Sequence, residues 1–111
     1  MDIIETAAKI EGFIQALSEE LGKSESLIAK KAETAAAYDK AAAVQAVRMK
    51  EDGLPVGLID KIVKGKLADL NAQKILAEET LRAHFWRLEV LMAQLNGYQS
   101  INKYLNSTST E

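Results

Sequence analysis

The chain has no cysteine in its 111 residues, so it can form no disulfide framework and offers no thiolate to a metal or a substrate. That absence agrees with a reducing compartment, and a cytoplasmic setting is expected. Proline occurs once and aromatics make up 5% of the chain. Such poverty fits sheets badly, because strands draw on aromatic and β-branched side chains, and it fits helices held by Leu, Ile and Ala. No charge sign dominates either. Basic residues number 14 and acidic residues 16, interspersed, for a formal net charge of −2, so no global field draws nucleic acid or anionic lipid. No uncharged apolar run approaches the ~18 residues of a membrane span. The opening MDIIETAAKIEGF carries Asp2 and Glu5 where a signal peptide needs positive charge. A protein neither membrane-inserted nor exported is expected, and for such a protein the glycosylation pattern at Asn106-Ser107-Thr108 has no meaning.

What the chain does have is 48% hydrophobic residues set at helical period. Ile3, Ala7, Ile10, Ile14, Leu17, Leu21 and Ile28 follow a 4-3 spacing, which places them on one coiled-coil-like stripe. Gly22 followed by Lys23-Ser24 reads as a helix end and a new N-cap, glycine supplying a left-handed C′ residue and serine a capping hydroxyl. The alanines of AETAAAYDKAAAVQAV then favour a helix that another can approach closely. Gly53 ends it, and Pro55 opens a short helix whose Leu58, Ile59, Ile62 and Val63 share one face and which stops at Gly65.

The last segment carries Leu67, Leu70, Ala77, Leu81, His84, Leu88, Leu91, Leu95 and Tyr98 near 3-4 spacing, then Ile101 and Leu105. At about 1.5 Å per residue its roughly 40 residues would reach about 60 Å. The expected fold is therefore all-α: an elongated antiparallel helical hairpin with a short helix at the tip, in one domain over residues 1–105. Its helices are expected at about 2–21, 24–52, 55–64 and 66–105, with a disordered polar tail at 106–111. A chain this short has little surplus stability. Phe85, Trp86, Val90 and Met92 also broaden the last helix beyond a two-helix stripe, so completion by a second copy is expected, a dimer first.

Motifs that could carry chemistry are few. Gly22-Lys23-Ser24 has Leu17 where a phosphate-binding loop needs its first glycine, and no strand precedes it. His84 is the only histidine and lies in neither His-x-x-x-His nor Glu-x-x-His spacing, so it reads as a satisfied interface histidine rather than a metal ligand or base. The adjacent pairs Glu19-Glu20 and Glu78-Glu79 point to different sides of a helix and read as surface. No catalytic residue, metal or cofactor is expected, and no enzyme. The candidate oligomer interface is Leu81, His84, Phe85, Trp86, Leu88, Met92 and Leu95. The candidate partner-binding surface is the tip, with Leu54, Leu58 and Ile62 beside Lys61, Lys64 and Lys66. These lysines have no stacking groups among them, so nucleic acid is a disfavoured partner, bound at most weakly and in a salt-sensitive way.

The run AAAVQAVRMKEDGLPVGLIDKIVKGKLADL, followed by a helix ending LEVLMAQLNGYQSINKYL, resembles small helical proteins encoded among the early genes of phages and prophages of Gram-positive bacteria. It shares their charged helix end, GLP turn, KG stop and L-Q-S ending over residues 40–105, which is turn and helix chemistry; the N-terminal third is not covered. The resemblance implies a mobile-element origin and a setting near replication and recombination, and it transfers no catalytic residue. The function expected is a non-enzymatic protein-protein interaction module, with a nucleic-acid accessory role through the basic tip as the alternative.

Overall fold

A computed structural model describes residues 2–109, and every regular element among them is an α-helix: α1 (Ile3–Leu21), α2 (Ser24–Glu51), α3 (Val56–Lys66) and α4 (Ala68–Ser109). The all-α class read from composition is the one adopted. Among the described residues, no helix is long and apolar enough to cross a membrane.

Each helix end has a local cause. Asp2 caps α1, its Oδ1 accepting the Glu5 N–H at 2.7 Å. After α2, Gly53 is left-handed at φ +81°; its N–H reaches the Lys50 carbonyl at 3.0 Å and the Leu54 N–H reaches that of Met49 at 3.1 Å. These two bonds make a Schellman motif, whose usual apolar contact is supplied by Leu54 packing on the cluster around Met49. α1 ends at Leu21 with Gly22 as its cap, as expected, whereas Gly65 does not end α3. Gly22 is right-handed at φ −60°, so α1 and α2 part only at a tight turn over Gly22-Lys23. α3 continues through Gly65 to Lys66, and Leu67 alone, at φ −104° and ψ 19°, separates it from α4. α4 also outruns its expected end at Leu105: residues 106–109 are helical, and the Thr108 hydroxyl bonds the Tyr104 and Leu105 carbonyls at 3.2 and 3.0 Å. The rest of the expected tail, 110–111, lies outside the described residues.

The described chain divides into two compact units, residues 2–24 with 82–109 and residues 25–81. In the second, α2 and the start of α4 run antiparallel. Met49 stands by Leu67, and the Lys74 ammonium sits 5.2 Å from the centre of the Tyr38 ring. α3 closes this unit by burying Ile59 and Val63 with Met49 and Leu67 against Ala41, Ala42 and Ala46. The alanines permit that close approach. In the first unit α1 and the C-terminal part of α4 are antiparallel, with Phe13 and Tyr98 rings 5.3 Å apart and Glu20 beside His84. Burial in α4 follows the expected row, through His84, Leu88, Leu91, Leu95, Tyr98 and Leu105, except that Asn102 takes the place expected of Ile101. In α1 it does not. The inward row is Thr6, Ile10, Phe13, Leu17 and Glu20, continuing to Ser24, while Ile3, Ile14 and Leu21 from the expected stripe are exposed, as is Ile28 in α2.

Candidate functional site

The first unit holds a buried polar cluster in its seam. The first turn of α2 supplies Ser24, the last turn of α1 supplies Glu20, and α4 supplies His84 and Arg87. Glu20 Oε1 accepts from His84 Nδ1 at 2.9 Å and from Arg87 Nε at 3.0 Å, while Oε2 accepts from Lys23 Nζ at 3.2 Å. The His84 hydrogen bond, then that of Arg87 and finally that of Lys23, hold the Glu20 carboxyl down at about 2 against a burial that would raise it. An ionised carboxylate only accepts, which assigns a proton to Nδ1; on the neutral ring, the Ser24 hydroxyl then donates to Nε2 across 2.7 Å.

Serine, histidine and carboxylate in this order form the relay that activates a nucleophile in many hydrolases. Here the imidazole has no exposed surface from which to pass a proton to a leaving group, and Arg87 shares the carboxylate oxygen that orients the ring. In this arrangement the three side chains satisfy one another within the seam. A polar layer that satisfies itself in only one alignment opposes slippage of α1 along α4. Among the described residues, no three His, Cys, Asp or Glu side chains converge as metal ligands would.

Two further surfaces flank the same seam. Counting one residue past Thr6, Phe13 and Glu20 gives Ala7, Ile14 and Leu21 on α1, and one past His84, Leu91 and Tyr98 gives Phe85, Met92 and Gln99 on α4. In an antiparallel pair both sets lie on the same side of the seam. None is charged, and Ile14, Leu21, Phe85 and Met92 are 45–57% exposed. Counting one residue before Ile10, Leu17 and Ser24, and before Leu88 and Leu95, gives the other side, with Lys9, Ala16, Lys23, Arg87 and Gln94. There an open groove of about 650 Å³ runs along Ala8, Gly12, Phe13, Ala16 and Leu91, edged by Glu5 and Lys9.

No protein-family model, no curated protein and no solved structure matches the chain.

The candidate oligomer residues separate accordingly. Leu81, His84 and Leu95 are buried within the chain and Leu88 is half-buried, because they form the inward row of α4; they are not free surface. Phe85 and Met92 lie on the uncharged side, and Trp86 points away from the seam. At the α3 turn, Leu54 and Ile62 are half-buried against the cluster that Ile59 and Val63 fill, leaving Leu58 exposed. Of the four residues expected to share the apolar face of α3, Ile59 and Val63 turn fully inward, Ile62 partly, and Leu58 stays outside. Lys61, Lys64 and Lys66 are exposed, but Asp60 and Asp69 are exposed among them and dilute the patch. Glu20 was read as surface and Ser24 as a cap, because their partner lies 60 or more residues away. A lone histidine in an apolar row was the one signal that could have prompted a search of the facing helix for them.

Proposed function

We propose that the protein is a non-enzymatic helical interaction module that works as an oligomer, a dimer first. Its working surfaces are the apolar flanks its own helices leave uncovered. One observation carries this reading: among the described residues, sixteen large hydrophobic side chains are exposed and eight hydrophobic ones are buried. Covering exposed apolar surface gains about 25 cal/mol per Å², so flanks this rich favour a further helical layer. The phage-like run over residues 40–105 supports a mobile-element origin and a place in the host cytoplasm, with a protein of DNA replication or recombination as the partner class.

Light scattering over a range of concentrations tests the reading. A mass of two or more chains, approaching 12.2 kDa on dilution, is expected. A 12.2 kDa species at every concentration would remove self-association and leave the flanks to a foreign protein.

A further inference from the structure

We infer that a second copy of the chain seats in the groove beside Gly12 and Ala16, the α1 helices of the two copies lying antiparallel about a twofold axis perpendicular to them. This rests on the association reading above and specifies its face and geometry.

On the groove side α1 presents Glu5, Lys9, Gly12, Ala16, Glu19 and Lys23 at 4-3 spacing, the spacing of a seam between helices. Nothing stands within 4 Å of where a Cβ on Gly12 would be, and Ala16 one turn on is small. Another helix can therefore approach closely at the middle of the row. The charges of the row are complementary to their own reversal. Turned end for end about its midpoint, the row sets Lys9 against the partner's Glu19, Gly12 against the partner's Ala16, and Glu5 against the partner's Lys23.

The Lys9 pair selects this alignment, and the axis makes it twice. Both side chains are exposed. Among the described residues Lys9 has no ion pair within its own chain, and the Glu19 carboxylate accepts only a 3.4 Å bond from Gln15. Lys23 already bonds Glu20 and is not needed. Covering Ala8, Phe13 and Leu91 supplies the affinity, and the charges supply the direction.

Helix α4 accepts the same axis. Ser24 and His84 are bonded and share a level; ten residues along each helix from there, the midpoint between Gly12 and Ala16 stands level with Gln94. The axis then sets Gln94 on its own copy, Val90 on the partner's Gly97 and Arg87 on the partner's Ile101, so no like charges meet along this row. An axis parallel to the helices would lay α1 on the partner's α4 and bring Lys23 to the partner's Arg87.

Charge reversal tests the pairing. Lys9→Glu and Glu19→Lys are each expected to raise the dimer dissociation constant about tenfold, read by light scattering at low salt. The two changes together in one chain remake the pair and are expected to return the constant to within about threefold of the native value. Single variants that dimerise like the native chain, or a double variant no tighter than the single ones, would overturn the pairing. A crosslink at the axis gives a reading independent of charge. The chain has no cysteine, so Gln94→Cys alone is expected to give crosslinked dimer with a thiol reagent reaching about 8–10 Å, the separation of packed helices. Light-scattering dimers with no such crosslink would overturn this face while sparing the association reading, and a monomer at every concentration would overturn both.

Discussion

The two units solve one problem in different ways. In residues 25–81 a third helix is available, and α3 lets α2 and α4 bury an apolar cluster of Met49, Ile59, Val63 and Leu67. In residues 2–24 with 82–109 there are only two helices. Their seam buries Thr6, Glu20 and His84 as deeply as Leu17 and Leu95, while Ile14, Leu21, Phe85 and Met92 remain on the flank. Two helices can enclose a narrow stripe and no more. Where a third is supplied, Met49, Ile59, Val63 and Leu67 close into one cluster, although Ile28, Val44, Val47, Val56, Leu58, Ile75 and Leu76 stay exposed there too; where it is not, the seam takes in polar groups that satisfy one another and the large apolar chains stay on the flank.

The largest effect is expected from weakening the finished cluster. Ile59→Ala, at a site 4% exposed, removes the apolar contact through which α3 closes its unit. It is expected to cost about 2–5 kcal/mol in denaturant unfolding. Faster amide exchange across α3 and the facing turns of α2 should accompany it. A loss spread evenly over the first unit as well would mean that the contrast between the units is not energetic.

The polar layer of the first unit comes next. His84→Leu leaves the Glu20 carboxylate in the seam without its main partner and the Ser24 hydroxyl without an acceptor, the latter alone worth about 1–3 kcal/mol. Replacing both members, Glu20→Leu with His84→Leu, is expected to recover the denaturation midpoint, since an apolar pair incurs no desolvation cost. It should not recover a single alignment, and more than one set of amide resonances is expected for α1. One sharp set of resonances in the double variant would show that the layer does not select register.

Acid probes the same layer more gently. The folded-state carboxyl of Glu20 lies at about 2, below its ordinary 4.5, so its contribution is fully present above about 4.5 and is lost as the pH falls towards 2. Thermal melts should therefore decline across that interval more steeply in the native chain than in Glu20→Gln. Parallel declines would place the acid sensitivity elsewhere.

Legibility from sequence divides along the same line as the units. The row from Leu67 to Tyr98 was readable because its inward side chains are nearly all apolar. On α1 two heptad rows overlap, sharing Ile10 and Leu17. The row through Ile3, Ala7, Ile14 and Leu21 is the more hydrophobic, yet the helix turns the other one inward. Hydrophobicity along one segment cannot register that Glu20, Ser24 and His84 satisfy one another across the seam. The α3 turn was readable in kind, as a cap held by the Gly53 and Pro55 stops. Its apolar face through Leu58, Ile59, Ile62 and Val63 was readable too, except that the helix turns the 59/63 edge furthest inward and leaves Leu58 exposed.

The smallest effect is expected at the largest side chain. Trp86 is 64% exposed and sits two positions past His84, on the side of α4 facing away from the seam. Trp86→Ala is therefore expected to shift stability by no more than about 0.5 kcal/mol. In dilute native protein, Trp86 emission should be that of a solvated indole. The neighbouring change Phe85→Ala lies on the uncharged strip, across the seam from the groove, and should leave association through the groove intact. If instead Phe85→Ala weakens association, the covered surface extends to that strip, and more of the two-helix unit is closed by its partner than the groove side alone.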